Sequence, residues 1–199
     1  MVRAQILARG VIDARVVAAM RAVPREEFVP AADRVSAYAD GPIPIGEGQT
    51  ISQPYVVAAM LVALGLQGDE RALEVGAGSG YAAALLGLCA REVWALERIA
   101  SLASLARERM ERLGHANVHV AHGDGTRGLP EHAPYDAILV SAGGPRVPPA
   151  LLEQLAPGGR LVMPVGADEQ HLVRITRSAS GALSEERMEA VRFVPLIAG

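Results

Sequence analysis

Two hydrophobic periods alternate along most of this chain. From 13 to 23, apolar residues fall at Val16, Val17, Met20 and Val23, a helical spacing, with Asp13 placed to cap the start and Pro24 to stop the helix. Residues 54–66 read as a second helix with Val57, Met60, Leu61 and Leu64 on one face. Its apolar run is the longest in the chain, yet it falls short of the roughly 20 residues that a membrane span needs. Helical spacing returns over 79–89, 99–113 and near 149–155. Between these segments lie short apolar blocks at 71–75, 92–96, 117–121, 135–140 and 160–164, which read as strands. The blocks ALEV, VWAL and AILV are continuous, as expected of strands covered on both faces.

Strands that alternate with helices predict right-handed crossovers and an α/β fold, a doubly wound, mostly parallel Rossmann-like sheet. Residues 172–178 and 187–194 read as two further strands with no helix between them, and Ser180 and Gly181 lie in the connection, so the sheet is expected to end in an antiparallel pair. Residues 41–54, GPIPIGEGQTISQP, carry enough Gly and Pro to forbid regular structure through most of their length. A loop this long in a compact domain is usually functional. The expected organisation is a single domain over 1–199, with extra N-terminal helices and an active-site loop in 1–53 and a cofactor-binding core with the C-terminal strands in 54–199.

Composition narrows the function classes. The chain has 199 residues, is 50% hydrophobic and carries a net charge of −3, which excludes disorder and argues against a nucleic-acid partner. All 19 basic residues are arginine. One cysteine, Cys89, precludes an intramolecular disulfide framework and fits a reducing compartment. No secretory h-region follows the start, so the expected setting is cytoplasmic, without a membrane partner.

The strongest chemical signal is LEVGAGSGY at 73–81, where a strand runs into Gly76-Ala77-Gly78-Ser79-Gly80 and a helix follows. Glycines let a ligand approach the backbone, and the helix start offers free N–H groups. The dinucleotide spacing G-x-G-x-x-G would need a glycine where Tyr81 stands, and no Gly-Lys-Ser/Thr is present for a phosphate loop. Glu97, 21 positions after Gly76 (97 − 76), ends the next strand, where an acid can accept from both ribose hydroxyls. Asp124, between Gly123 and Gly125, follows the third strand and can accept from an adenine amino group. Taken singly, each has a plainer reading as a turn or cap residue; together they mark successive strand ends in the order a nucleoside ligand needs. The loop resembles that of S-adenosylmethionine-dependent methyltransferases.

Wider motifs then resemble one family, the protein-L-isoaspartate O-methyltransferases: VPREEFVP at 23–30, AYADGPIPIGEGQTISQPYVVA at 37–58, the glycine loop, GDG at 123–125, APYDAILVSA at 133–142, LAPGGRLVMPVG at 155–166 and FVPL at 193–196. The resemblance implies a methyltransferase sheet and transfer of methyl from S-adenosylmethionine to the free carboxylate of L-isoaspartyl residues in damaged proteins. S-adenosylhomocysteine is the product, and the ester re-forms a succinimide that starts repair. It places the catalytic serine at Ser52 and substrate contacts at Thr50, Ile51, Gln53, Ser141 and Ala142. Cofactor contacts fall at Ser52, Gln53, Glu74, Gly76, Ala77, Gly78, Ser79, Gly80, Glu97, Arg98, Asp124, Gly125 and Gln170. It also implies a monomer. The family more often shows Thr-Ala-Ala where this chain has Ser141-Ala142-Gly143-Gly144, a departure able to alter substrate fit.

The chemistry fits these residues. A carboxylate with a pKa near 4 is ionised at neutral pH, so methyl transfer needs alignment and dryness, not a general base. A neutral hydroxyl such as Ser52 can aim one oxygen; its plainer role, with Gln53, is to cap the helix at 54. Val57 and Tyr55 are placed to line the pocket. Three competing features carry no site: His119 and His122, three apart on a strand, point to opposite faces and hold no metal; Cys89 reads as a core thiol; and Arg107, Glu108, Arg109, Glu111 and Arg112 read as a solvated face with local ion pairs, with Leu102, Leu105 and Leu113 in the core. Two rivals stay open on the sequence: a divergent member acting on Asp of a dedicated peptide or on a small molecule, and a non-catalytic cofactor sensor.

Overall fold

In the computed structural model, which describes residues 1–198, two short N-terminal helical turns (Val2–Ile6 and Leu7–Arg9) lead into helix α1 (Ala14–Ala22). Asp13 caps α1 by accepting from the Val16 N–H at 2.9 Å, and the chain turns extended at Val23 before Pro24. Two 3₁₀ turns follow, Arg25–Phe28 and Ala31–Ser36. Strands β1 (Ile43–Gly46) and β2 (Gln49–Ile51) come next, then helix α2 (Pro54–Leu64), closed by left-handed Gly65. The core alternates β3 (Arg71–Val75), α3 (Tyr81–Cys89), β4 (Glu92–Glu97), α4 (Ala100–Leu113), β5 (Val118–His122), β6 (Tyr135–Val140) and α5 (Pro149–Glu153). It finishes with β7 (Leu155–Val165), β8 (Gln170–Arg177) and β9 (Leu183–Val191).

The main sheet has seven strands in the order β5-β4-β3-β6-β7-β8-β9. The first five are parallel; β8 runs antiparallel to β7 and β9 antiparallel to β8. The expected doubly wound sheet with an antiparallel end is therefore present. The chain lays β4 and β5 on one side of β3 and then returns to place β6 on the other. That reversal is the topological switch where open α/β sheets bind ligands.

Alternate residues of the central strands feed two cores. Ala72, Ala95, Leu139 and Val162 face α1, α2 and α3, joining Met20, Leu61, Leu64 and Leu86. Leu73, Val75, Ile138 and Met163 face the opposite side, closed by Leu129, Leu151 and Leu155. Every central strand is thus buried on both faces, which is why its sequence reads as an unbroken apolar run.

Several expectations need correction. The last strand spans Leu183–Val191, not 187–194, and α5 stops at Glu153 because β7 already begins at Leu155. Residues 41–54 are not mostly irregular: β1 and β2 pair as an antiparallel hairpin, Ile43 opposite Ile51. Pro44 is tolerated because a two-stranded ribbon is all edge, and Gly46, Glu47 and Gly48, all at positive φ, make the turn. Helix α3 begins at Tyr81, not 79, because Gly80 still has left-handed φ. Leu105 is 43% exposed, because α4 buries the face of Leu102, Ala103, Ala106 and Met110 instead. The arginines of α4 also reach beyond their own helix: Arg107 donates to the Val120 carbonyl, Arg109 to the Ser79 carbonyl, and Arg112 pairs with Glu27 at 2.7 Å. Among the described residues no helix is long and apolar enough to cross a membrane.

Removal of the α1 cap by Asp13→Ala should cost about 1 kcal/mol, roughly 2–4 °C in melting temperature for a domain of this size. A thermal melt followed by circular dichroism reads it, and an unchanged midpoint contradicts the capping assignment.

Candidate active site

The site forms where the glycine loop leaves β3. Gly76, Gly78 and Gly80 all adopt positive φ, so the backbone folds back beneath β4, with the Gly76 and Ala77 N–H groups donating to the Leu96 carbonyl at 2.8 and 3.1 Å. At Gly76 the positive φ itself demands glycine, whereas a Cβ at Gly78 would also meet Ile45 Cδ1 at 3.2 Å. The loop is thus a cradle in which glycine keeps space clear, walled on one side by β6 and on the other by the β1–β2 hairpin.

Three adjoining cavities open over this cradle. The innermost is lined by Thr50, Ile51, Ser52, Glu74, Ser141 and the backbone of 76–79, with Val57, Met60, Tyr81 and Phe193 as apolar walls. A second, toward β4, is lined by Gly76, Gly78, Glu97, Arg98, Ile99, Gly125, Ala142 and Leu196. A third, toward the surface, is lined by Ser52, Gln53, Val56, Arg192 and Phe193. Thr50 and Ser141 border all three. Ser52 borders the innermost and the outer one, and so stands between a deep chamber and an open groove.

Electrostatics favour a cationic guest. Glu74 is 1% exposed; Ser141 Oγ donates to its Oε1 at 3.0 Å, and its Oε2 has no partner. Burial pushes the Glu74 carboxyl up to about 8; the Glu97 charge adds to the rise and the Ser141 hydrogen bond opposes it. Glu97 accepts from the Gly78 N–H through Oε2 and the Ile99 N–H through Oε1, both at 2.8 Å. Each oxygen keeps one lone pair, enough to receive a pair of hydroxyls. Ser52 Oγ makes no hydrogen bond among the described residues, and Gln53, at the N-cap of α2, makes no side-chain capping bond. Instead the Gln53 amide donates to Asp40 Oδ1 at 2.8 Å. The Ser52 hydroxyl is therefore not spent on capping.

Not every residue singled out in the sequence reaches these cavities. Gly80 faces Met110 and Ala106 of α4 and backs the loop. Asp124 Oδ1 accepts from the N–H and the hydroxyl of Thr126, so it caps the 125–127 turn; its neighbour Gly125 borders the second cavity. Gln170 clamps the C-terminal segment: its Oε1 accepts from the Phe193 N–H at 2.7 Å, and it borders none of the three cavities. Tyr55 turns away, its ring 4.9 Å from the Arg9 guanidinium carbon, whereas Val57 lines the chamber as expected. His119 lies beside Trp94, and His122 contacts the Arg98 carbonyl, so the two share no site. Cys89 is buried, and burial pushes its thiol up to about 11.

The Ser-Ala-Gly-Gly stretch has a packing reason. A Cβ at Gly143 would collide with the Gln170 amide, and the Gly143 N–H and carbonyl bond to Val194 and Leu196 at 2.8 and 2.7 Å. Gly143 admits the returning C-terminal segment while Ser141 and Ala142 keep the cavity wall. That segment, Phe193 to Ile197, lines the cavities and was the part of the site least visible in the sequence; FVPL following a strand was its only signal.

A family model described as protein-L-isoaspartate(D-aspartate) O-methyltransferase (PCMT) matches residues 1–199. The chain is 60% identical over 199 residues to protein-L-isoaspartate O-methyltransferase 1 of Rhodopseudomonas palustris strain HaA2, covering 99% of this chain and 81% of that one. It is 54% identical to protein-L-isoaspartate O-methyltransferase 2 of Marinobacter nauticus, over 99% and 91%. Among solved structures, a protein-L-isoaspartate O-methyltransferase superposes with a TM-score of 0.86 at 30% identity, over 96% of this chain and 63% of that one. A Plasmodium falciparum protein described as a putative member in complex with S-adenosyl-L-homocysteine gives 0.84 at 29%, over 96% and 94%. A family match along the whole sequence, together with a closely superposing fold, makes this chain a member of the protein-L-isoaspartate(D-aspartate) O-methyltransferase family.

Proposed function

We propose that this chain transfers methyl from S-adenosylmethionine to the free carboxylate of L-isoaspartyl residues, with Ser52 holding that carboxylate. The observation that carries the site assignment is the shared wall: Thr50 and Ser141 border both the chamber over the glycine loop and the outer groove, and Ser52 stands between them.

The residues present fit the cofactor. The backbone at Gly76 and Gly78 receives its amino-acid and ribose portions, Glu97 with Arg98 beside it meets the ribose, and the base lies along the part of the second cavity that Gly125 borders. Ala77 and Ser79 complete the cradle. Glu74 in the innermost chamber, with its Oε2 unpartnered, and Glu97 in the adjoining cavity are placed to receive a sulfonium and an ammonium. When bound, S-adenosylmethionine supplies an electrophilic methyl on a positively charged sulfur. The protein's work is then geometric. The substrate carboxylate is already ionised, and a base to remove a proton is unnecessary. The Ser52 hydroxyl donates to one carboxylate oxygen and leaves the other free to point into the chamber; as a neutral donor it does not quench the nucleophile. Ile51, Thr50 and Gln53 shape the groove around it, and the hairpin keeps water from the reacting atoms. The next backbone amide nitrogen then attacks the ester carbonyl, loses its proton and expels methanol, and the succinimide so formed opens the repair route.

The reading extends to a single catalytic domain that works as a monomer in the cytoplasm on isoaspartyl-containing proteins and peptides.

Three measurements test this. With labelled S-adenosylmethionine and a matched peptide pair, the isoaspartyl peptide should be labelled and its aspartyl twin should not; equal labelling of both contradicts the substrate assignment. Ser52→Ala should lower kcat/KM roughly 10- to 100-fold, the worth of about 1.5–3 kcal/mol for a hydrogen bond to a charged group, with S-adenosylhomocysteine affinity little changed in calorimetry. Lost cofactor binding would give Ser52 a structural role. Glu74 has a folded pKa of about 8 against an ordinary 4.5, so its contribution to stability is present below pH 4.5 and is lost as pH rises toward 8. In the cofactor-free protein, the melting temperature of Glu74→Gln relative to wild type should therefore climb from pH 5 to 8 and level off above. A difference that stays flat with pH would mean that Glu74 is ionised throughout.

A further inference from the structure

Arg25, in the VPREEFVP motif, is the largest fully buried side chain of the protein and has 0% exposure. Its Nε donates to the Ala37 carbonyl at 2.8 Å and its Nη2 to the Ser52 carbonyl at 2.8 Å. Its guanidinium carbon lies 4.8 Å from the Tyr81 ring, which walls the innermost cavity and packs edge-on against Phe28. Its Nη1 is buried with no partner, and no carboxylate pairs with it among the described residues. Burying an unpaired cation is costly, and apolar residues of similar size fill such space at less cost. Pure packing therefore explains Arg25 poorly. What distinguishes its surroundings is that both partners facing the cavity, Ser52 and Tyr81, belong to the wall of the chamber.

We propose that Arg25 is a positioning residue for carboxylate recognition: its fork fixes the Ser52 backbone so that the hydroxyl addresses the cavity, and its unpaired charge stands directly behind the wall where a substrate carboxylate binds. The inference rests on the role proposed above for Ser52. Geometry accounts for the choice of arginine. Two carbonyls separated by 15 residues in sequence are held at one angle by a rigid planar donor, which a single ammonium cannot reproduce. The guanidinium also stacks over the ring of Tyr81, a residue that borders the innermost cavity, which adds a second contact to the wall.

A double-mutant cycle in the full-length protein tests this, using an isoaspartyl peptide for kinetics and S-adenosylhomocysteine calorimetry for folding and cofactor binding. Arg25→Lys should lower kcat/KM roughly tenfold or more, chiefly by raising the peptide KM, with S-adenosylhomocysteine affinity held within about threefold. Introduced into Ser52→Ala, the same change should cost less than about threefold, because the residue acts through a hydroxyl already gone. Fully multiplicative effects would overturn the inference. So would a parallel loss of S-adenosylhomocysteine binding, which marks a structural residue. If Arg25→Lys does not melt cooperatively, Arg25→Gln, which keeps a carbonyl-directed donor without the charge, takes its place in the same cycle and is read by the same criteria. Wild-type turnover in that assay separates the two readings: no turnover of the isoaspartyl peptide overturns the proposed function and this inference with it, whereas turnover with independent variants overturns this inference alone.

Discussion

The site depends on how closely the β1–β2 hairpin rests on the glycine loop. Ile45 Cδ1 reaches to 3.2 Å from where a side chain on Gly78 would begin, and at the tip Ser101 donates to Glu47 at 2.8 Å. A side chain at Gly78 would have to push Ile45 Cδ1 aside and would hold a positive φ that only glycine adopts freely. Buried Ile43 and Ile51, paired across the hairpin, anchor its base in the core beneath α2. The hairpin is therefore fixed at its base by burial and at its tip by one exposed hydrogen bond. That asymmetry leaves the tip as the end with less to lose when a ligand passes.

Charge is distributed to match. Two acids, Glu74 and Glu97, stand on the cofactor side of the chamber. One buried arginine stands behind Ser52 on the substrate side. Glu97 and the Arg25 guanidinium are fixed by backbone hydrogen bonds before either ligand arrives, and preorganised dipoles and charges need no reorganisation during the reaction. The cost is visible in the unpartnered Glu74 Oε2 and Arg25 Nη1, two buried polar atoms that the fold itself does not satisfy.

Legibility in the sequence followed the range of the forces involved. The strands at 71–75 and 135–140 were readable to the residue because burial on both faces writes a continuous apolar run. The glycine loop and Glu97 were readable because their spacing is local. The hairpin was not: Gly and Pro signal a break in regular structure, whereas the pairing of Ile43 with Ile51 comes from packing against the core. Gln170 is placed near the cofactor by resemblance, yet the structure commits its amide to the Phe193 backbone; Asp124 follows from its place after the third strand, and its Oδ1 also holds the turn at Thr126. Leu105 was misplaced because α4 rolls to bury Ala106 and Met110 against the glycine loop. Arg25 was invisible as a site residue because its partners are backbone carbonyls 12 and 27 positions away, which no side-chain pattern encodes.

The central claim is that Ser52 holds a carboxylate at the junction of the chamber and the groove. A crystal structure of the protein with S-adenosylhomocysteine and an isoaspartyl peptide tests it most directly. The account predicts the peptide carboxylate within about 3.2 Å of Ser52 Oγ, a hydrogen-bonding distance, with its second oxygen directed at the sulfur. A carboxylate seated elsewhere in the groove, with Ser52 Oγ bonded only to the protein, would contradict it.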